Sequence, residues 1–348
     1  MVRITSRLRK LNPLPRYRID KKRIAVIGGG SWGTALVSII LKNKKTINWY
    51  IRNEKNIAYM KKHRHNPQYL NYLLLDTDRI QFYSDIKKII EESDILFFAV
   101  PSAFLSKLLK GKNISFAGKF VVSAIKGIIP EQNITISEYF NKQFDVSYYN
   151  IAVISGPCHA EEIALEKLSY LTIASRRKGK INKIAKLIEC SFVRTIISRD
   201  IHGVEYAAIL KNIIAIAAGI YHGLGYGDNF QAVLISNAIR EIKRFLDAVK
   251  AKKRQIDSSS YLGDLLVTSY SQFSRNRLFG TMIGKGYTTQ SALLDMNMIA
   301  EGYYSCRCIH AMNAKFKVDT PIIDAVYNVL YNSEPAAKVM EQLTKKLH

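Results

Sequence analysis

The sequence is poor in acidic residues and in cysteine, and it has no long apolar run. Its 28 Asp and Glu residues stand against 52 Lys and Arg residues, which gives a formal net charge of +24. The four cysteines include no C-x-x-C pair and are too few for a disulfide framework, so neither disulfides nor a metal site is predicted. The longest apolar run, residues 213–221, is far shorter than the ~18 residues of a membrane span. We therefore expect no stable membrane insertion, and free thiols in a reducing cytoplasm.

The excess of positive charge has two interpretations. A basic surface can bind nucleic acid or an anionic membrane. Here the basic residues are spread along the chain without an RNA-binding aromatic motif, and Lys, Ile, Asn and Tyr are all abundant, as an AT-rich genome would produce. We therefore predict no nucleic-acid partner. Residues 1–20 are basic and lack the apolar segment of a secretory signal, so we interpret them as a basic disordered tail, although their composition also resembles an organelle transit segment.

Short apolar runs of strand type alternate with helix-compatible segments up to about residue 200. The predicted strands are Arg23–Ile27, Ile47–Ile51, Ile80–Tyr83, Ile95–Val100, Phe120–Ser123, Ile151–Ile154, Leu171–Ala174 and Val193–Ile197. Runs that are apolar on both faces indicate a buried, mostly parallel sheet with helices on both sides. Beyond residue 200 the chain is typical of helices, predicted at Val204–Tyr221, Phe230–Ala248, Leu262–Tyr270, Thr289–Ala311, Thr320–Leu330 and Pro335–Leu347.

The first predicted strand leads directly into the pattern Gly28-x-Gly30-x-x-Gly33 and then into a helix. In this context the first glycine allows a tight turn, the second lets a pyrophosphate approach the backbone, and the third lets helix and strand pack closely. The fold class is therefore predicted as α/β. A Rossmann-type, doubly wound dinucleotide-binding domain spans residues 21–199, and an all-α substrate-binding and catalytic domain spans residues 200–348.

One lysine lies in an unusual place. Lys211 interrupts an Ala- and Ile-rich helical run, and its neighbours three and four residues away are apolar. A surface helix would place its lysines on a polar stripe instead. The plain interpretation is that the stem packs while the ammonium group reaches water. The alternative is a buried lysine that meets counter-charges or takes part in catalysis, because burying an unpaired ammonium group is costly.

Several loops fall where the carboxyl ends of the sheet strands should lie, the edge at which doubly wound folds bind ligands. Pro101-Ser102, Lys126-Gly127 and the segment SGPCHA (155–160) each follow a predicted strand. The helical half adds LGDL (262–265), SRNR (274–277) and AEG (300–302). Each loop alone is ordinary, and their fixed order is the informative feature.

Together with GGGSWGTA and GVEYAAILKNIIAIAAGI, this ordered set resembles the bacterial-type NAD(P)-dependent glycerol-3-phosphate dehydrogenases over residues 22–340. The resemblance implies that Lys211 is the proton donor or acceptor. It implies substrate contacts from Lys126, Gly156, Cys158, Lys211, Asp264, Ser274, Arg275 and Asn276. It implies cofactor contacts from Gly28, Gly30, Ser31, Trp32, Gly33, Arg52, Lys126, Ala160, Arg275, Ile299 and Glu301.

Some of these residues also have a plain structural interpretation. Residues 274–277 could form a solvated loop, Asp264 could be an ordinary helix N-terminal residue, and Glu301 could lie on a helix surface. The chain also departs from the family pattern, with Cys158 where Ser or Thr is usual and Ile299 where Val is usual. A nucleophile–base pair of Cys158 and His159 is not expected, because adjacent side chains of an extended segment point apart.

The resemblance implies reversible reduction of dihydroxyacetone phosphate to sn-glycerol 3-phosphate, which supplies phospholipid synthesis. The chemistry suits the residues, since a lysine is protonated by default at pH 7 and can donate to the forming alkoxide. Arg275 offers a planar fork for a phosphate. Arg52 favours NADPH and Glu54 favours NADH, so both cofactors are expected. The alternatives are another two-domain β-hydroxyacid-type dehydrogenase, or a non-catalytic protein that binds NAD or nucleic acid. A homodimer is compatible with the sequence.

Overall fold

The structure is a computed structural model that describes residues 22–250, 252–296 and 298–348. The predicted basic tail, residues 1–20, lies outside these ranges. Within these ranges, strands alternate with helices in the first half of the chain, and the second half is helical, in the order that the sequence predicts. The α/β fold class is confirmed, and the two-domain division stays a prediction.

Ten strands lie between residues 24 and 198. They are β1 (Ile24–Ile27), β2 (Ile47–Tyr50), β3 (Ile80–Tyr83), β4 (Ile95–Phe98), β5 (Phe120–Ser123), β6 (Ile128–Ile129), β7 (Ile134–Thr135), β8 (Ile151–Ser155), β9 (Ser169–Ser175) and β10 (Val193–Ser198). Eight of them form one sheet in the order β10-β9-β8-β5-β4-β1-β2-β3, and β6 with β7 forms a separate hairpin. Every predicted strand is present.

The sheet is parallel except between β8 and β9. In the β1–β4 pair Ile24 lies opposite Ile95, and in the β4–β5 pair Phe97 lies opposite Val122. β9 and β10 run against the other strands, because β9 is antiparallel to β8 and parallel to β10. The carboxyl ends of β1, β4, β5 and β8 therefore meet at one edge, which is where the predicted binding loops follow their strands.

Helices cover both faces of the sheet. They are α1 (Ser31–Asn43), α2 (Glu54–His63), α3 (Ile86–Glu91), α4 (Ser102–Leu109), α5 (Ile136–Phe144), α6 (Ala160–Ala164) and α7 (Lys178–Ile188), with short 3-10 turns at Thr77–Arg79 and Tyr148–Asn150. Alternate residues of β1 enter two different cores. Ile24 and Val26 pack with α1 and α7 on one face, and Ala25 and Ile27 pack with α3, α4 and α5 on the other. This explains why β1 is apolar at every position.

The second half of the chain is helical. It contains α8 (Ile201–Gly223), α9 (Asp228–Val249), a π-helical turn (Ser259–Gly263), α10 (Asp264–Tyr270), α11 (Arg275–Gly284), α12 (Thr289–Asp295), α13 (Glu301–Phe316), α14 (Pro321–Tyr331) and α15 (Ala336–Thr344). The prediction of one helix at Thr289–Ala311 is wrong, because Met296 and Ala300 are extended and separate α12 from α13. Helix α11 is not among the predicted helices, because its two glycines lower its helix propensity.

Helix α8 runs through the middle of the helical half. It is long and apolar enough to cross a membrane, yet its apolar window is completely buried inside the protein. Glycines set its distance to α11. A Cβ on Gly219 would collide with the carbonyl of Arg277, and one on Gly280 would collide with the carbonyl of Ile216. This backbone contact positions the start of α11 relative to the lysine of α8.

Candidate active site

The glycine-rich turn connects β1 to α1. Gly28 has a φ of +131°, a conformation that favours glycine, and a Cβ there would collide with the carbonyl of Ala99. A Cβ on Gly33 would collide with the carbonyl of Gly28, so α1 lies directly against the end of β1. A Cβ on Gly30 would meet nothing within 4 Å. The backbone is therefore open to a ligand at the N-terminus of α1, and this geometry fits a dinucleotide pyrophosphate.

Other predicted cofactor residues lie at the same edge. Ser31 is the buried first residue of α1, and Trp32 follows it. The indole Nε1 of Trp32 is buried without a hydrogen-bond partner in the part of the chain that the structure describes. Ala160 is the first residue of α6, which packs against α1. An unpartnered donor beside the open turn also fits a bound ligand, since buried donors normally have an acceptor.

Lys211 is buried at the middle of α8, with 4% of its surface exposed. Its Nζ donates to a carboxylate oxygen of Asp264 and, at 2.8 Å, to Oγ1 of Thr268. Asp264 begins α10 directly after the π-helical turn, and Thr268 lies one helical turn further on. The interpretation that the ammonium group reaches water is therefore wrong. Lys211 is buried and meets a counter-charge.

Asp264 joins the sheet edge to the helices. Its Oδ2 accepts hydrogen bonds from Oγ of Ser155 at 3.1 Å and from the backbone N–H of Gly156 at 3.2 Å. The same oxygen lies 3.5 Å from Nζ of Lys126, which also donates to the carbonyl of Gly156 at 3.0 Å. The structure thus brings together Lys126, Gly156, Lys211 and Asp264, which we call the lysine cluster.

The charges of the lysine cluster depend on burial. Burial lowers the pKa of Lys211 to about 7, because desolvation and the nearby Lys126 outweigh the attraction of Asp264. Burial alone would raise the pKa of Asp264, but the two ammonium groups hold it below its ordinary value. Asp264 is therefore ionised at neutral pH, while Lys211 can both hold and release a proton there. Such a pKa suits a group that transfers protons.

Cys158 and His159 lie beside this cluster and remain uncharged. Burial raises the pKa of the Cys158 thiol to about 12. Burial, assisted by the charges of Lys211 and Lys126, lowers the pKa of His159 to about 4. A protonated thiol next to a neutral imidazole is not an activated nucleophile. These pKa values agree with the expectation that the two residues form no nucleophile–base pair.

The segment SRNR begins α11. Oγ of Ser274 accepts a hydrogen bond from the backbone N–H of Arg277 at 3.3 Å and caps the helix. Arg275 is the first helical residue, and Oδ1 of Asn276 accepts from the backbone N–H of Gly302 at 2.9 Å. The alternative of a solvated loop is therefore wrong. An arginine at a helix N-terminus is suited to an anionic group.

Two contacts connect this region to the lysine cluster. Gly302 lies so close to α8 that a Cβ on it would collide with the carbonyl of Asn212. Nδ2 of Asn212 donates to the carbonyl of Lys126 at 2.7 Å. The starts of α11 and α13 and the Lys126 loop are therefore held against the same part of α8.

Glu301 connects the helical half to α4. Its carboxylate accepts hydrogen bonds from the backbone N–H of Ser102 at 2.8 Å and from the Ser102 hydroxyl. A Cβ on Gly127 would collide with both of these side chains. Burial raises the pKa of Glu301, against the hydrogen bonds from Ser102 and the charge of Arg275. Glu301 is thus no plain surface residue, and Ile299 lies two residues before it, in the connection between α12 and α13.

Arg52 lies apart from the lysine cluster. It follows β2, on the other side of β1 from the strands that precede Lys126 and Gly156. The backbone N–H of Gly28 donates to the carbonyl of Tyr50 at 3.3 Å, so the end of β2 adjoins the glycine-rich turn. Arg52 is exposed. Its position is compatible with the predicted cofactor role.

Four residues that are not among the predicted site residues also belong to the site. They are Ser102, Ser155, Asn212 and Thr268. Ser102 and Ser155 lie in loops that the sequence places at the carboxyl edge of the sheet, without indicating which residues they contact. Thr268 lies four residues after Asp264 on the same helix face, and this spacing could have indicated it. Asn212 contacts a residue that is distant in sequence, so no local pattern indicates its role.

The sequence matches two parts of one protein family. Residues 23–180 match the N-terminus of the NAD-dependent glycerol-3-phosphate dehydrogenases, and residues 200–341 match their C-terminus. The chain belongs to this family. The resemblance predicted from the motifs is confirmed, and the chain is an oxidoreductase that acts on CH–OH groups with NAD(P).

Named relatives support the assignment to the glycerol-3-phosphate dehydrogenases. The chain is 36% identical over 324 residues to glycerol-3-phosphate dehydrogenase [NAD(P)+] of Agathobacter rectalis, covering 92% of this chain and 95% of that protein. It is 33% identical over 325 residues to the protein of the same name from Chlorobium chlorochromatii, covering 93% and 97%. The crystal structure of glycerol-3-phosphate dehydrogenase from Coxiella burnetii superposes with a TM-score of 0.87 at 26% identity, covering 93% of this chain and 99% of that chain.

Proposed function

We propose that this glycerol-3-phosphate dehydrogenase reduces dihydroxyacetone phosphate to sn-glycerol 3-phosphate in a reversible reaction. The observation that carries the proposal is the buried Lys211, paired with Asp264 at the edge where the sheet meets the helices. Reduction of a ketone needs a hydride on its carbon and a proton on its oxygen. Bound NADH or NADPH supplies the hydride, and Lys211 supplies the proton.

Lys211 acts as the general acid in the direction of reduction. Its ammonium group donates a proton to the carbonyl oxygen of the substrate as negative charge develops there. Asp264 and Thr268 hold the lysine by hydrogen bonds and so fix where its Nζ points. In the direction of oxidation neutral Lys211 accepts the hydroxyl proton of glycerol 3-phosphate. Burial assists this direction because it lowers the pKa of the lysine.

Lys126 adds a second positive charge beside the reacting carbonyl. Its Nζ is held by the carbonyl of Gly156 and lies next to Asp264, with 20% of its side chain exposed. A second ammonium group there stabilises the developing alkoxide and keeps the pKa of Lys211 low. Cys158, at a predicted substrate position, contributes a neutral thiol beside the lysine cluster.

The substrate phosphate binds at the start of α11. Arg275 offers a planar guanidinium with a fork that matches phosphate oxygens. The amide oxygen of Asn276 faces the backbone of Gly302, so its NH2 group is directed to the opposite side. The N-terminus of α11 adds favourable partial positive charge. These features favour a phosphorylated substrate over a keto acid of the β-hydroxyacid-type dehydrogenases.

The cofactor binds along the carboxyl edge of the sheet. The turn of Gly28, Gly30 and Gly33 would hold the pyrophosphate, with Ser31 and Trp32 beside it. Arg52, at the end of the neighbouring strand, would meet the adenine ribose and accept the 2′-phosphate of NADPH. Ala160, Ile299 and Glu301 would complete the site. We propose that the enzyme uses both NADH and NADPH.

The wider role that we propose is supply of glycerol 3-phosphate for phospholipid synthesis in the cytoplasm. The enzyme acts on a small phosphorylated substrate, without nucleic acid and without stable membrane insertion, and it is compatible with a homodimer. The large positive charge is then a property of composition. Weak DNA binding that disappears at moderate salt, beside reductase turnover that persists, would support this interpretation.

The test is a substrate panel with the purified chain. NADH and NADPH oxidation is followed with dihydroxyacetone phosphate, unphosphorylated dihydroxyacetone and several 2-keto acids. We expect kcat/KM for dihydroxyacetone phosphate to exceed that for every other compound by at least ~10²-fold. A site built to bind the phosphate group rejects substrates that lack this group. Preference for a 2-keto acid would favour the β-hydroxyacid-type alternative and contradict the proposal.

A further inference from the structure

The three carbonyl groups of the turn Gly28–Gly30 are each held by a donor from a different segment. The first accepts a hydrogen bond from Nε1 of Trp49 at 2.9 Å, and the second accepts from Nδ2 of Asn66 at 3.0 Å. The third accepts from Oγ1 of Thr34 at 2.9 Å and from the backbone N–H of the same residue at 2.9 Å. The turn is thus tied to β2, to α1 and to the loop that follows α2.

Fixing a carbonyl also fixes the N–H group of the next residue. In a trans peptide the C=O and N–H groups point in opposite directions, and the described residues contain no cis peptide bond. The three hydrogen bonds therefore turn the N–H groups of Gly29, Gly30 and Ser31 away from the donors. Backbone N–H groups at the N-terminus of a helix can bind an anion.

Asn66 differs from the other two donors. Thr34 belongs to α1 itself and Trp49 to the neighbouring strand, whereas Asn66 comes from a loop. It is 2% exposed, and both ends of its amide are occupied. Nδ2 also donates to Oγ1 of Thr34 at 2.9 Å, and Oδ1 accepts from the backbone N–H groups of Gln68 and Tyr69 at 3.0 and 3.2 Å.

These contacts give the Asn66 amide a single orientation. Its oxygen holds its own loop in place, and its nitrogen holds the carbonyl of Gly29. A side chain that made only one of these contacts could rotate. Because both are made, the loop after α2 is locked to the turn and the middle peptide of the turn is fixed before any ligand arrives. A site arranged in advance binds its ligand with less loss of entropy.

We propose that Asn66 is a positioning residue for dinucleotide binding, which acts through the Gly29 carbonyl and does not itself contact the cofactor. The inference rests on the proposed function, since it takes the turn of Gly28–Gly30 to be the pyrophosphate site. It adds to that function a residue from outside the glycine-rich segment, and it assigns the loop after α2 a part in cofactor affinity.

The test compares Asn66→Asp with a matched control, Asn48→Asp. Asp keeps the oxygen that accepts from the loop and loses the donor to Gly29. Asn48 is another buried asparagine, which lies in β2, and its Nδ2 donates to Oγ of Ser93 at 2.9 Å, near the amino ends of the strands. Both substitutions remove one buried donor and add one carboxylate, so both are expected to lower the melting temperature.

Only the Asn66 variant should lose cofactor affinity. We expect the Kd for NADH, measured by fluorescence titration without substrate, to rise about tenfold, the effect of one lost oriented hydrogen bond. The KM for NADH should rise to a similar extent, while the KM for dihydroxyacetone phosphate and kcat at saturating NADH should change less than about twofold. Asn48→Asp should leave the Kd for NADH within about twofold of the unaltered chain.

Asn66→Ala provides a second variant that adds no charge, with Asn48→Ala as its control. Asn66→Ala replaces Asn66→Asp in the experiment if the buried carboxylate prevents folding. The same tenfold rise in the Kd for NADH is expected. An unchanged Kd for NADH in a folded Asn66 variant would overturn the inference and leave the proposed function intact. Failure of the unaltered chain to bind NADH or NADPH would instead overturn the proposed function.

Discussion

Lys211 and Asp264 form a buried ion pair that joins α8 to α10, and the same carboxylate lies 3.5 Å from Nζ of Lys126. Two ammonium groups thus share one carboxylate at the carboxyl edge of the sheet. Burial, assisted by the positive charge of Lys126, keeps the pKa of Lys211 low, and the excess of positive charge leaves the site attractive to an anionic substrate.

The pH dependence should have opposite signs in the two directions of the reaction. Below a pH of about 7 Lys211 is protonated and can donate, so kcat/KM for reduction should be level there and fall as the pH rises. For oxidation the neutral lysine is needed, so kcat/KM should rise through the same range. An unperturbed lysine would place both changes near pH ~10.4. Ionisation of the substrate phosphate also affects each profile, and separate titrations of dihydroxyacetone phosphate and glycerol 3-phosphate provide the two corrections. Profiles that move together with pH would remove Lys211 from the proton transfer.

Replacing Asp264 with Asn should affect both stability and activity. It leaves two ammonium groups without their shared carboxylate, and breaking a buried ion pair in this way costs about 3–5 kcal/mol of unfolding free energy. The misplaced lysine should lower kcat/KM by about 10²-fold. The pKa of Lys211 should fall further, since Asp264 raises it, and the fall in reduction should move to lower pH. Urea unfolding and pH profiles measure these effects.

The control for this variant is Asp78→Asn. Asp78 pairs with Arg64 at 2.8 Å on the surface, with 73% of the Asp78 side chain exposed. Exposed pairs contribute about 0–1 kcal/mol, so stability and turnover should hardly change. Equal destabilisation by the two substitutions would contradict the view that burial makes the Asp264 pair important.

Replacing Arg275 with Lys should weaken phosphorylated substrates selectively. Lysine keeps the charge but cannot reproduce the two-pronged hydrogen bonding of a guanidinium. We expect kcat/KM for dihydroxyacetone phosphate to fall by about tenfold or more, and that for dihydroxyacetone to fall much less. Arg277→Lys, two residues further along α11, serves as the control and should leave the ratio of the two substrates unchanged. Equal losses for both substrates in the Arg275 variant would mean that another group holds the phosphate.

Most of the fold follows from local sequence. Strands β1 and β4, in the middle of the sheet, are continuous apolar runs because both of their faces are buried, and a pattern of this kind needs no knowledge of distant contacts. Helix α11 and the break between α12 and α13 depend on tertiary contacts instead. α11 is stabilised by glycine-mediated packing on α8, and α13 begins where Asn276 accepts from the backbone of Gly302. Local propensity contains neither contact.

The residues of the candidate site also fall into two groups, those that local sequence indicates and those whose roles depend on tertiary contacts. Lys211 could be recognised because a charge within an apolar helix is anomalous on local grounds alone. Its pairing with Asp264 spans 53 residues, and the hydrogen bond between Glu301 and Ser102 spans 199 residues. The resemblance to a family indicated Asp264 and Glu301 without indicating what they contact. The contacts of Ser102 and Asn212 depend on how the elements pack together, whereas the spacing of Thr268 from Asp264 on one helix is local.

The choice of cofactor should depend on Arg52. Replacing it with Asp reverses the charge at the end of β2, where the proposal places the adenine ribose, and should repel the 2′-phosphate of NADPH. We expect kcat/KM for NADPH to fall by about tenfold or more while that for NADH changes little, because the glycine-rich turn holds the rest of the dinucleotide. Lys55→Asp, an exposed cation three residues further on, is the control. A constant ratio of the two cofactors would show that Arg52 points away from the ribose.

The central claim is that Lys211 transfers the proton, and Lys211→Met tests it most directly. Methionine fills the buried space and cannot donate or accept a proton. A matched control is Lys180→Met, which alters a second buried lysine, on α7, whose Nζ donates to Asn150 at 2.9 Å. The measurement is kcat for dihydroxyacetone phosphate reduction at saturating NADH, together with the Kd for NADH. We predict that Lys211→Met lowers kcat by at least ~10²-fold while the Kd stays within about twofold, and that the control keeps its turnover. Near-normal kcat in folded, NADH-binding Lys211→Met would contradict the account.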